Sequence, residues 1–255
     1  MEELAQQYRI NPKEMRNDLK RFSLIYKFAL DEMNTKINIL KEEFIHIHDY
    51  NPIEHCNSRL KSPESIIKKL TRKNLSFSIE SIRENIKDIA GIRIICPFIT
   101  DVYKISQMIE NQKDIELVER KDYIRNPKPN GYQSLHLIIK IPVFMSDRVE
   151  MVFVELQIRT IARDFWASLE HKIYYKYEKE IPERIKKDLK EAAISAAELD
   201  LKMERINNEV ADLKVKENMG EDFLIFNDNL NTPKSNFQSF LNGFFVDAPR
   251  EIKKK

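Results

Sequence analysis

Glu155, Gln157 and Arg159 stand two apart, interleaved with Val152, Val154, Leu156 and Ile158. In a β-strand, residues two apart share a face. One face would enter a core; the other would present a carboxylate, an amide and a guanidinium in a row. An ordinary half-buried strand with a solvated outer face has the same pattern, so the surroundings must decide. A second carboxylate, Asp88, opens the apolar run Ile89-Ala90-Gly91-Ile92-Arg93-Ile94-Ile95-Cys96, which Pro97 ends. Arg93 inside that run needs an acidic, phosphate or aromatic partner, because a buried guanidinium is costly alone. Asp88 and Arg93 differ in parity. Aiming both at one site needs a bulge near Gly91, or Asp88 placed before the strand.

Between Arg59 and Lys73 there are six basic residues and one acid, against a net charge of +2 for the whole chain. Ser62 is a good N-cap and Pro63 a good first helical residue. A helix start carries free N–H groups and a partial positive charge, which suit anions. Ser65 and Lys69, four apart, fall on one face of that helix. A solvated basic helix accounts for the same residues. Tyr132 follows the turn-forming stretch Arg125–Gly131 and could offer its ring to a base, or simply cover core. Two carboxylates and phosphate oxygens suit Mg²⁺, which keeps oxygen ligands and several waters. Phosphoryl-type transfer needs positioning, a metal and cations more than covalent help. The constellation favours a nucleotide-dependent transferase over a plain binding module.

These groups need a frame, and the chain supplies one. Leu19, Phe22, Ile25, Tyr26, Ala29, Met33, Ile37 and Leu40 recur at helical spacing and predict a helix over 12–48. A short helix at 79–87, a strand at 88–98, a helix at 101–112 and strands at 115–124, 132–139 and 152–159 follow. Residues 160–177 read as a helix with Ile161, Phe165, Trp166, Leu169 and Ile173 inward. Asp164 lies in its first turns. A longer helix over 182–216 carries Ile185, Leu189, Ala192, Ala193, Ala196, Leu199, Met203, Ile206 and Val210 as a stripe. Little chain remains to cover that stripe, so it is a candidate oligomer interface, with packing inside the chain as the alternative.

The fold class expected is α/β (α+β): a mixed central sheet flanked by helices. The organisation is an N-terminal helical segment over 1–50, a catalytic core over 51–180, a helix over 181–216 and a flexible tail over 217–255. Within that tail, Phe237–Phe245 could dock. At 255 residues and 42% hydrophobic content the chain can bury a real core. The small net charge argues against a general nucleic-acid coat. Two cysteines, Cys56 and Cys96, cannot build a disulfide framework. His46, His48, Asp49, His55 and Cys56 match no standard zinc spacing. No apolar run spans a bilayer and no signal peptide is evident, so a cytoplasmic protein is expected.

Four blocks together resemble the synthetase domain of the RelA/SpoT family. They are Arg59-Leu60-Lys61-Ser62, Asp88–Arg93, Asn130-Gly131-Tyr132-Gln133-Ser134-Leu135-His136, and Glu155–Thr160 followed by Asp164–His171. They occur in the family's order over about residues 50–180. The short chain is similar to the small alarmone synthetases, the RelP type in particular. The resemblance implies a nucleotidyltransferase-like fold and a homotetramer. It also implies transfer of the β,γ-diphosphate of ATP to the ribose 3′-OH of GDP or GTP, releasing AMP, in the stringent response. Arg59 and Arg93 would sandwich adenine, and Lys61, Ser65 and Lys69 would hold ATP phosphates. Asp88 and Glu155 would bind Mg²⁺, and Glu155 would take the 3′-OH proton. Tyr132 would stack on guanine, Lys121, Lys128 and His136 would meet the acceptor's phosphates, and Gln157 and Arg159 would brace the site. Asp164 stands where some members carry Asn; as an acceptor-only group it could take both guanine N–H edges. The rival readings are a nucleotidyltransferase moving AMP, and a guanine-nucleotide or RNA sensor without catalysis.

Overall fold

A computed structural model of the chain describes residues 12–48, 50–176 and 181–228, with side chains for 20–48, 50–173 and 181–214. Asp49, Tyr177, the side chain of Leu19 and the stretch from 229, including Phe237–Phe245, lie outside the described residues. Two units are distinguished, Met1–Glu204 and Arg205–Lys255. Helix α1 (Pro12–Ile47) leads to β1 (His55–Leu60), α2 (Pro63–Arg72) and α3 (Ile79–Asn85). Then come β2 (Ala90–Cys96), α4 (Ile99–Glu110), β3 (Glu116–Asp122), β4 (Leu135–Phe144), β5 (Val149–Thr160), α5 (Ile161–Lys176) and α6 (Glu183–Asp228). Of the second unit the described part is the last stretch of α6, where Ile206, Val210 and Leu213 are exposed.

The strands form one mixed five-stranded sheet in the order β1-β2-β5-β4-β3. Only β2 and β5 run parallel; the other neighbours are antiparallel. Alternation assigns the faces. Ala90, Ile92, Ile94 and Cys96 of β2 share a core with Leu137 and Ile139 of β4 and Val152, Val154, Leu156 and Ile158 of β5. Helix α1 adds Phe22, Ile25, Met33 and Ile37 to that core, and α4 adds Val102, Ile105 and Ile109. Each aliphatic side chain fully buried there contributes about 1.5–3 kcal/mol. One face of the sheet is thus closed by hydrocarbon, and the opposite parity keeps its polar groups.

The structure departs from the sequence reading at three points and decides between its two options at a fourth. β1 carries no sequence signal for a strand, because five of its six residues are exposed and it pairs only at the sheet's edge. Of the two ways to aim Asp88 and Arg93 at one site, the second holds: β2 keeps register with both neighbours throughout, without a bulge at Gly91, and Asp88 precedes the strand. In α5, Trp166 is buried, but Ile161, Phe165, Leu169 and Ile173 are exposed, Phe165 by 67%. The face of α5 that meets the rest of the unit carries Arg163, Trp166 and Ala167, so the apolar stripe turns outward. Finally, α6 continues to Asp228, past the expected end at Lys216.

Candidate active site

Residues paired across neighbouring strands point to the same face. One row across the sheet reads Arg59, Gly91, Glu155, Ile138, Glu119. The next reads Asn57, Arg93, Gln157, His136, Lys121. Side chains from all five strands therefore meet on the face that α1 leaves free. A cavity of about 280 Å³ opens there, lined by Asn57, Arg59, Asp88, Arg93, Glu155 and Gln157.

Helix α2 forms beside it. Ser62 caps the helix by accepting from the Ser65 backbone N–H at 3.3 Å, and its hydroxyl donates to Ser65 Oγ at 3.0 Å. Ile66 and Leu70 bury one face. That orientation brings Lys69 Nζ to 2.8 Å from Asp88 Oδ1, while Lys61 Nζ lies 2.8 Å from Asp88 Oδ2. Burial pushes the Asp88 carboxyl up, but the two ammonium groups prevail and hold it below the usual aspartate value. Asp88 Oδ1 is buried and receives no well-aligned hydrogen bond. A hard cation would use that oxygen.

Glu155 sits between two donors. Gln157 Nε2 donates to its Oε2 at 2.9 Å, and His136 Nδ1 lies 3.6 Å from Oε1. Burial raises the Glu155 carboxyl and the charge on Asp88 adds to that. The His136 imidazole and Gln157 amide outweigh both, so it too lies below its ordinary value. Both carboxylates are therefore ionised at neutral pH. The other imidazole nitrogen, Nε2, is 2.8 Å from the Tyr132 hydroxyl. Burial raises the Tyr132 phenol, so it keeps its proton. Tyr123 meets both rings edge-on, at 6.1 Å for Tyr132 and 5.2 Å for His136. Lys128 Nζ lies 4.5 Å from the Tyr123 ring and 4.8 Å from the Tyr132 ring. Lys121 pairs with Glu119 at 3.0 Å.

Asp164 joins two arginines. Its Oδ1 is 2.8 Å from Arg159 and 3.3 Å from Arg93. Arg159 is buried, and Asp164 supplies its counter-charge. Sequence reasoning missed Asn57, because β1 was not recognised, and Tyr123, because it sits at a strand exit with no motif around it. It also missed the buried Asp200. That carboxylate accepts from Thr160 at 2.5 Å and pairs with Arg163 at 2.9 Å, tying α6 to the end of β5.

Among the described residues no three His, Cys, Asp or Glu side chains converge into a metal site. Asp88 and Glu155 could supply two carboxylate ligands to Mg²⁺, leaving the rest to phosphate oxygens and water. No described helix is long and apolar enough to cross a membrane.

Known proteins resemble this chain in sequence and fold. A family model described as a region found in RelA / SpoT proteins matches residues 58–180. GTP pyrophosphokinase YwaC of Bacillus subtilis (strain 168) is 52% identical over 198 residues, 78% of this chain and 94% of that protein. The crystal structure of the small alarmone synthetase 2 from Bacillus subtilis aligns with a TM-score of 0.69 at 52% identity, over 75% of this chain and 99% of that one. Small alarmone synthetase 1 from Bacillus subtilis, bound to its product pppGpp, aligns with a TM-score of 0.71 at 36% identity, over 76% and 98%.

Proposed function

Because this chain belongs to the RelA/SpoT family, we propose that it is a (p)ppGpp synthetase. It moves the β,γ-diphosphate of ATP to the ribose 3′-OH of GDP or GTP and releases AMP. The observation that carries the reading is the meeting of Asp88 and Glu155 in one cavity, with Arg59 and Arg93 beside them on adjacent strands.

Arg59 and Arg93 grip the adenine through their planar guanidinium groups. Lys61, Ser65 and Lys69, before and along α2, hold the ATP phosphates; the two lysines are already gathered by Asp88. Asp88 and Glu155 would hold Mg²⁺, which would neutralise charge on the moving diphosphate. On the other side Tyr132 stacks on guanine, with Tyr123 behind it. Lys121, Lys128 and His136 face the acceptor's phosphates. Asp164 keeps lone pairs free to accept from the guanine edge while Arg93 and Arg159 fix its position. Glu155 takes the proton from the 3′-OH, and the oxygen attacks the β-phosphorus as the bond to the α-phosphate oxygen breaks. AMP carries that oxygen away. Gln157 and Arg159 brace the base and the acceptor pocket. No nucleic acid is required for this step.

Two free cysteines, Cys56 and Cys96, suit a reducing cytoplasm, where these substrates occur. The working form is a homotetramer, supported by the uncovered apolar residues of α1, α5 and α6. The activity is tested with γ-labelled ATP and GDP, with and without Mg²⁺. Label should appear in a guanosine tetraphosphate only with the metal. Label leaving solely as pyrophosphate would assign the chain to nucleotidyl transfer instead.

A further inference from the structure

Helix α6 meets the acceptor loop at a point with no spare room. Gly131 has φ +89°, a left-handed backbone that glycine adopts freely. A Cβ at this position would lie 2.6 Å from the Ala193 Cβ and 3.6 Å from the Lys190 carbonyl oxygen. Ala193 is buried and clusters with Trp166, Ala167 and Tyr132. Trp166 Nε1 donates to the Leu189 carbonyl at 2.8 Å, one turn before Ala193. From α5, Glu170 accepts from Asn130 Nδ2 at 3.1 Å, and Asn130 Oδ1 accepts from the Tyr132 backbone N–H at 3.2 Å. The Asn130-Gly131-Tyr132 segment is held by both helices. A cavity of about 390 Å³ beside it, lined by Pro129, Asn130, Trp166 and Lys190, gives a displaced loop somewhere to go.

We propose that Ala193 is a positioning residue for the acceptor nucleotide. Its methyl group is the stop against which Gly131 rests, and it thereby sets where the Tyr132 ring stands. Tyr132 in turn bonds His136, which faces Glu155, so the stop also aligns the acceptor with the base. The assignment rests on Tyr132 being the guanine-stacking residue. The ATP half of the site is built on β1, α2, β2 and the approach to β2, and none of its residues belongs to the cluster around Trp166.

Trp166 is the chain's one tryptophan, so its emission reads GDP binding next to Tyr132 without turnover. Wild type, Ala193→Leu and the exposed-neighbour control Ile194→Ala are titrated with GDP and assayed for KM towards GDP and ATP. Ala193→Leu should weaken GDP binding and raise its KM by about tenfold, the scale of one lost aromatic contact. The KM for ATP should stay within about twofold, a shift too small to mean a lost contact, and Ile194→Ala should match wild type. If circular dichroism shows that Ala193→Leu does not fold, Ala193→Val carries the test with a smaller shift in the same direction. A folded variant with unchanged GDP affinity, or with both KM values rising together, overturns the proposal. So does a wild type whose emission ignores GDP. A wild type that binds GDP but forms no product would sink the functional reading instead and leave the positioning role standing.

Discussion

Glu155 is the residue whose environment is most at odds with its surroundings in sequence. It lies between hydrocarbon neighbours along β5, yet its carboxylate is ionised because His136 and Gln157 hold it. Glu155→Gln keeps the size and an acceptor oxygen but removes the ability to take a proton. General-base catalysis is worth about 10²–10⁴-fold, so kcat should fall within that range while the KM for ATP changes little. Initial rates equal to wild type would remove Glu155 from the base role. A second residue gives a chemical check on the fold. Burial pushes the Cys56 thiol up to about 11, although Lys41 opposes it. A raised thiol is scarcely ionised at neutral pH, and only the thiolate is alkylated. Iodoacetamide at pH 7.5 should therefore leave Cys56 unmodified in native protein and label it in urea, as read by mass spectrometry. Rapid native labelling would mean the β1 edge is open. The parity of Glu155, Gln157 and Arg159 was legible in sequence because alternation fixes a face. The pairing of Asp164 with Arg93 and Arg159 was not, because it depends on how two strands and a helix come together.

Among the elements, α6 is held by interactions that no local pattern announces. Asp200 Oδ2 accepts from Thr160 and pairs with Arg163, all three buried. Burial raises the Asp200 carboxyl and lowers the Arg163 guanidinium; the Thr160 hydrogen bond and the mutual charge attraction of the pair offset part of that cost. Removing one member of a buried pair leaves the other uncompensated, at a cost of about 3–5 kcal/mol. Asp200→Ala should therefore lower the urea midpoint markedly. Asp200→Ala and Arg163→Met combined should recover part of the loss, because no charge is then stranded. Equal stability of the single variant and wild type would mean α6 is not anchored there. Strands β2 and β5 and helix α1 were legible because each buries one complete face, which stamps a period of two or 3.6 on the sequence. β1 was not, since an exposed edge strand is held by backbone hydrogen bonds and leaves its side chains free of pattern. α5 was legible as a helix but its inward face was misassigned: hydrophobic spacing marks a stripe, not the element against which it packs.

At the scale of the molecule, that misassigned stripe becomes an argument about assembly. Ile161 and Phe165 of α5, with Leu199 and Met203 of α6, line an apolar groove of about 830 Å³ within the first unit. Contiguous exposed apolar surface is where an interface between chains would be sought. A separate set, Leu24 and Phe28, is exposed on α1. A closed tetramer of dihedral symmetry needs two distinct self-complementary interfaces, whereas a dimer needs one. Two uncovered apolar surfaces therefore fit the tetramer better than the dimer. A charge placed at the centre of either should break one interface and spare the other, since burying an unpaired carboxylate is costly. Phe165→Glu and Phe28→Glu should each give particles of two chain masses in light scattering, and the double variant should give one. If both single variants keep the mass of wild type, the apolar surfaces are not what joins the chains. If wild type itself is a monomer, the homotetramer is wrong, and the groove awaits another occupant.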